Sequence, residues 1–303
     1  MGSSSGATAH GSLAPALFGW WSGTREGRDR LPWRSTRDPW HVLVSETMLA
    51  QTQATRVAIR FPTMIERFPT PGSCAEAPLG EVLRYWAGLG YNRRAVALHS
   101  TARAIVERHG GSVPRTLDEL VTLPGVGPYT ARAILAFAFG RDVGVVDTNV
   151  GRVLARAVAG TALGARPAQE LADSLVPPGR GREWNLAVMD FGSLVCTARA
   201  PGCASCALAA VGACVWRAAA SGASPDPAFG SAAVTTRQAP FAGSDREGRG
   251  RLVRAACVAP IAPDQVATAA GWPDDQGRAT RVARDLVAEG LLVEGADGTL
   301  RLP

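Results

Sequence analysis

The chain contains no lysine: all 32 of its basic residues are arginine, set against 26 acidic ones for a net charge of +6. That absence excludes chemistry needing a side-chain primary amine, Schiff-base catalysis first of all. It also makes any basic surface one of planar forks, which grip phosphate oxygens in pairs rather than as point charges. A codon bias toward arginine explains the same composition, so the charge fits a nucleic-acid partner without establishing one. Also missing is an apolar run of about 18 residues, so no membrane-spanning helix is expected. The first dozen residues lack the basic-then-apolar order of a secretory signal, and a cytoplasmic, nucleoid-associated location is expected. No alternating strand pattern stands out before residue 250. What is present is an ordinary globular mix, 46% hydrophobic and 6% aromatic, long enough at 303 residues for two or three domains.

Helical periodicity recurs at Leu13–Gly23, Trp40–Gln51, Ala54–Arg67, Leu79–Ala87, Arg93–His109, Leu117–Val121, Tyr129–Phe139, Asn149–Ala159, Ala168–Leu175 and Glu183–Leu194, broken by Pro and Gly. One break, Leu123-Pro124-Gly125-Val126-Gly127, separates two helical patterns. Such a turn offers backbone N–H groups at the positive end of the second helix, a place for an anion such as a DNA phosphate. Downstream, Asp147 follows the apolar run Val143–Val146 and opens a further helix, where Asp is a common N-cap. A carboxylate near a gripped phosphate points to chemistry on the attached sugar. Glu46 lies on an apolar helical face with Val42, Val44, Met48 and Leu49, where a carboxyl with a raised pKa is expected.

Four of the six cysteines fall within nineteen residues, as Cys196-x6-Cys203-x2-Cys206-x7-Cys214. In a cytosolic setting this spacing reads as a metal site rather than as disulfides. Ala218–Ala242 is rich in small residues and reads as a linker. Beyond it, helices at Asp264–Gly271 and Arg278–Glu289 precede two short strands around Ala296-Asp297-Gly298, the order of a small winged-helix-like module.

Taken together, the hairpin, Asp147 and the cysteine cluster resemble the helix-hairpin-helix DNA glycosylases that carry an iron–sulfur cluster, over roughly residues 13–217. Within that superfamily Val44–Gln53 (VSETMLAQTQ), Leu31–Arg34 (LPWR), Gly88–Tyr91 (GLGY) and Leu123–Ala131 (LPGVGPYTA) are similar to the adenine-specific, A/G-mismatch branch. The resemblance implies a mainly α fold, with a six-helix barrel bearing the hairpin over 37–149. It implies a [4Fe–4S] domain from 13–36 and 150–217, a disordered 1–12, a linker at 218–245 and the winged-helix-like module at 246–303.

For chemistry, it implies that Glu46 protonates a flipped adenine, that Asp147 stabilises or traps the sugar cation, and that Tyr129 and Asn149 assist. Gln51 and Tyr91 would wedge into the DNA stack. Leu31, Trp33, Arg34, Gly125, Val126 and Gly127 would contact DNA. Cys196, Cys203, Cys206 and Cys214 would ligate the [4Fe–4S] cluster, with zinc as the other candidate, although the last spacing is two residues longer than usual. Relatives that also cut the backbone use a lysine where Tyr129 stands, so a monofunctional enzyme leaving an abasic site is expected. A position commonly Gln is Ala50 here. The tail is less than half the size of the 8-oxoguanine-inspecting domain of long members and lacks its Phe-Ser-His loop, which resembles the shorter actinobacterial forms. The implied partner is double-stranded DNA with adenine mispaired to 8-oxoguanine or guanine, bound by a monomer. The alternatives are a glycosylase for T or U opposite G, or a non-catalytic cluster-bearing DNA-binding protein.

Overall fold

A computed structural model describes residues 5–24, 31–219, 225–231 and 240–303. Among them the helices run α1 Ser5–Ser22, α2 Pro39–Leu49, α3 Ala54–Arg67, α4 Pro71–Glu76, α5 Leu79–Trp86, α6 Arg93–His109, α7 Leu117–Leu120, α8 Pro128–Phe137, α9 Thr148–Val153, α10 Ala165–Ser174, α11 Gly181–Leu194, α12 Ala207–Ala210, α13 Val215–Ala219, α14 Asp245–Val258, α15 Val266–Ala270 and α16 Gln276–Ala288. The strands β1 Val293–Glu294 and β2 Leu300–Arg301 pair antiparallel, Val293 opposite Arg301. The chain divides into two compact units, one of Met1–Arg37 with Pro128–Arg237, the other of Asp38–Gly127 with Gln238–Pro303. The division falls between the hairpin turn and α8.

In the first unit α1, α9 and α11 bury Leu13, Leu17, Val150, Val153, Trp184, Val188 and Phe191 in one core. Edge-on aromatic pairs reinforce it, Phe18 with Trp184 at 6.0 Å and Trp20 with Phe191 at 5.0 Å. The helix expected over 149–159 is α-helical only to Val153. Leu154–Ala159 forms a π turn closed by Gly160 at φ +67°, and it carries the buried Arg156 inward. Helix α1 begins at Ser5, within the stretch expected to be disordered, and Leu13 and Leu17 anchor it in the core. Residues 1–4 lie outside the described residues. The expected linker 218–245 is also interrupted, because Asp226 pairs with Arg156 at 2.5 Å and Ser231 is buried. Residues 220–224 and 232–239 of that stretch lie outside the described residues.

The second unit buries Trp40, Leu43, Phe61, Met64, Phe68, Leu83, Trp86, Leu98 and Ile105. Asp38 caps α2 by accepting from Trp40 N and His41 N, and Thr70 with Ser73 forms a capping box on α4. Residues after 244 do not stand apart as a separate module. Gly80 N donates to Pro303 O at 3.1 Å, and a Cβ on Gly80 would sit 2.5 Å from that oxygen. Sequence periodicity missed α14, whose buried Leu252, Val253 and Ala256 are set among Arg249, Arg251 and Arg254. The two strands turn at Gly298 (φ +77°), and Ile261 bridges to Leu300.

Candidate active site

Asp147 is delivered by an extended run fixed from behind by one buried amide. Asn185 Oδ1 accepts from Val145 N at 2.8 Å while its Nδ2 donates to Val143 O and Gly181 O, both at 2.8 Å. Gly144 packs so tightly that a Cβ there would lie 2.6 Å from Ala172 Cβ. The run ends at Asp147, whose Oδ1 accepts from Val150 N at 2.7 Å as the N-cap of α9. Its Oδ2 accepts from Asn149 Nδ2 at 2.9 Å. Burial pushes the Asp147 carboxyl above the usual carboxylate range, against the lowering pull of the Val150 N–H, Asn149 and the Arg152 charge.

Behind this pair stands a residue that sequence reading missed. Arg152 donates from Nη2 to Asn149 Oδ1 at 2.8 Å and from Nε to the Cys196 carbonyl at 2.7 Å. Its partners Cys196 and Gly192 come from the end of another helix, and no local spacing signals them. Tyr129, in the first turn of α8, is partly exposed.

Glu46 belongs to the other unit. It lies on α2 among Val42, Val44 and Met48 and is only 9% exposed, the apolar surround anticipated for it. Helix α2 stops at Leu49, short of the expected Gln51, because Gln51 adopts φ +58°. Gln51 and Tyr91 (φ +49°) are the non-glycine residues with positive φ among the described residues. Such backbone is uncommon outside glycine and gathers at functional positions. Both residues line a single cleft of about 890 Å³ within the second unit.

Arg94, unmarked by the sequence, ties their two loops together. Its Nη1 donates to Thr47 O at 2.7 Å and Met48 O at 3.0 Å, and its Nη2 to Thr52 Oγ1 at 2.9 Å and Gly90 O at 3.1 Å. The guanidinium lies 5.2 Å from the Trp86 ring centre and 5.4 Å from that of Tyr91. Burial lowers its pKa to about 10.

In the hairpin Gly125 has φ +75°, and a Cβ there would meet Ala97 Cβ at 2.7 Å, so only glycine fits. Val126 is buried and donates its N–H to Leu123 O; Gly127 is exposed, and Pro128 begins α8. The LPWR segment departs from expectation. Leu31 precedes a short 3-10 turn, Trp33 is buried within it, and Arg34 spends both terminal nitrogens on Asp190, at 2.7 and 3.1 Å. Asp190 also accepts from Trp21 Nε1 at 3.0 Å. Trp33 is thus buried, and a buried carboxylate on α11 holds the Arg34 guanidinium.

Cys196, Cys203, Cys206 and Cys214 line one small cavity together with Arg156 and Trp216. Arg156 Nη1 donates to Cys196 Sγ at 3.5 Å, and the Cys214 thiol lies 3.8 Å from the Arg156 carbonyl. Burial raises the Cys196 thiol, while the Arg156 and Arg152 charges pull it down toward thiolate. Among the described residues no three His, Cys, Asp or Glu converge as ligands of a single metal ion. Four sulfur donors around a cavity, beside two buried cations, fit an anionic four-thiolate cluster.

The profile of the family described as HhH-GPD superfamily base excision DNA repair protein matches residues 44–178. An adenine DNA glycosylase of Mycobacterium tuberculosis (strain CDC 1551 / Oshkosh) is 41% identical over 293 residues, covering 95% of this chain and 92% of that protein. Among solved structures, a thermostable thymine-DNA glycosylase aligns with TM-score 0.63 and 30% identity, over 69% of this chain and 97% of its own. A trapped endonuclease III–DNA covalent intermediate aligns with TM-score 0.57 and 25% identity, over 68% and 96%. The mainly helical fold described above is shared with both.

Proposed function

The chain belongs to the HhH-GPD superfamily of base excision DNA repair proteins, and from that premise we propose that it is an adenine DNA glycosylase that hydrolyses the N-glycosidic bond of adenine paired with 8-oxoguanine or guanine. The observation that carries the reading is Asp147, a carboxylate of raised pKa held by Val150 N and Asn149 at the head of α9. In this mechanism the adenine is flipped from the duplex. Glu46 gives its proton to adenine N7 as the C1′–N9 bond breaks and the bonding pair leaves with the base. The ionised Asp147 stabilises the oxocarbenium sugar or traps it, and water then adds to C1′ and returns a proton to a carboxylate. The products are free adenine and an abasic site. With no lysine in the sequence, strand cleavage through a Schiff base has no nucleophile at the position of Tyr129.

The four cysteines would hold a [4Fe–4S] cluster, which supplies four-thiolate cross-linking of the 196–214 segment. Arg156 and Arg152 would balance its charge. The three helices and hairpin after residue 244 have the order of a winged-helix module, and we assign them to DNA contact.

Single-turnover incubation with duplexes carrying A opposite 8-oxoguanine, A opposite G, T opposite G and U opposite G tests the assignment. Alkali-dependent cleavage only at adenine is expected. Excision of T or U instead would transfer the protein to the branch of the thymine-DNA glycosylase, and excision of nothing would make it a binding protein.

A further inference from the structure

Among the described residues, Arg94 Nε and Trp216 Nε1 are the buried side-chain nitrogens that lack a hydrogen-bond partner. The first belongs to a guanidinium whose other nitrogens are engaged with Thr47, Met48, Thr52 and Gly90. The second differs, because Nε1–H is the only donor an indole has. Other indoles of this fold find acceptors: Trp21 donates to Asp190 at 3.0 Å, Trp40 to Phe68 O at 2.9 Å and Trp86 to Gly90 O at 3.0 Å. A buried N–H without an acceptor is costly and rare in native proteins.

Trp216 stands two residues after Cys214, in the first turn of α13, and lines the cavity shared by Cys196, Cys203, Cys206 and Cys214. The Arg156 guanidinium lies 5.2 Å from the centre of its ring. Arg156 is itself fixed, with Nε on Asp226 Oδ1 at 2.8 Å and Nη1 on Thr197 O at 2.7 Å. A guanidinium only donates, so this neighbour cannot accept from the indole. The four cysteines beside it carry sulfur, which accepts hydrogen bonds once it is thiolate. An iron–sulfur cluster held there adds sulfide sulfurs of the same kind, and donors to such sulfurs set its potential.

We propose that Trp216 Nε1–H donates to a sulfur of the cluster that these four cysteines hold. The proposal rests on the cluster reading and is independent of which base the protein excises. A donor at a cluster sulfur favours the reduced, more negative state over the oxidised one, so Trp216 raises the reduction potential.

The test uses the full-length protein with its metal in place. Iron and sulfide content, protein-film voltammetry and resonance Raman spectra are measured on one preparation. Trp216→Phe keeps an aromatic ring against Arg156 and deletes the donor. Its potential should fall below that of the wild type. The shift of the Fe–S stretching bands between H2O and D2O should also shrink, because one exchangeable proton on sulfur is gone. Site-specific replacement of Trp216 by benzothienylalanine keeps the indole shape and removes only the N–H. It should reproduce both changes, and it carries the comparison if Trp216→Phe loses iron. Iron lost from this isostere as well would show the N–H to be needed for holding the cluster, which supports the proposal. With about four irons per chain retained, a potential and an isotope shift equal to those of the wild type would overturn it alone. Trp216 would then only pack against Arg156. Zinc in place of iron in the wild type would overturn the cluster reading, and this proposal with it.

Discussion

Arg152 Nη2 donates to Asn149 Oδ1 at 2.8 Å, and Asn149 in turn donates to Asp147. The same guanidinium holds the Cys196 and Gly192 carbonyls, so the Asp147–Asn149 pair and the Cys196 backbone share one buried cation. Arg152→Ala removes the shortest donor to the Cys196 carbonyl, leaving it the longer bond from Arg156, and takes the donor from Gly192 O, so a loss on the order of 3 kcal/mol is expected. Excision should fall along with iron content. Thermal melts, metal analysis and single-turnover rates on one preparation check this; full activity with intact iron would show that Arg152 positions nothing.

Asp147→Asn keeps a side chain that caps helices well and removes the charge. Excision is expected to drop by about 100-fold or more, while affinity for a duplex with adenine opposite 8-oxoguanine is retained. Glu46→Gln should lose at least about 100-fold through the missing proton donor. Retained turnover in either variant removes that residue from its role.

The acid side of the pH profile follows from Asp147. Its raised pKa means that the ionised form is lost at higher pH than for a free aspartate, about 3.9. The acid limb of excision should lie above that value. Asn149→Ala removes a lowering contact, so its limb moves to higher pH; a limb moving downward would contradict the assignment. Stability has the opposite sign. The charged form is disfavoured on folding, so Asp147→Asn should melt no lower than wild type well above the folded pKa. That advantage should shrink as pH falls through it.

Arg34 predicts a stability effect without a binding one. Its side chain is 15% exposed, and Asp190 is its buried partner. Arg34→Ala takes both guanidinium bonds from that carboxylate, which keeps the Trp21 Nε1 bond, and should cost about 3 kcal/mol. Affinity of the folded protein for DNA should be unchanged, and a selective loss of affinity at constant melting temperature would restore Arg34 to the DNA surface.

Treatment of the excision product distinguishes base removal from strand cutting. Without a lysine, strands incubated at neutral pH should remain intact and break only after alkali. Cleavage before alkali would reveal an amine-based lyase.

The sequence alone was enough for features whose cause is local. The Leu123–Gly127 turn, Asp147 as a helix cap and most helix spans follow from spacings of three or four residues, because caps and turns involve near neighbours. The SETML segment likewise placed Glu46 on an apolar helix. Tertiary structure decided what depends on distant partners. Arg34 meets Asp190 across 156 residues, Arg152 meets Cys196 across 44, and Arg94 meets Thr47 across 47. An arginine looks the same in sequence whether a carboxylate, a carbonyl or a phosphate claims its fork. The cleft followed the same logic: Arg246, Gly250 and Arg254 form a readable stripe, but only folding set it in one cavity with Gln51 and Tyr91.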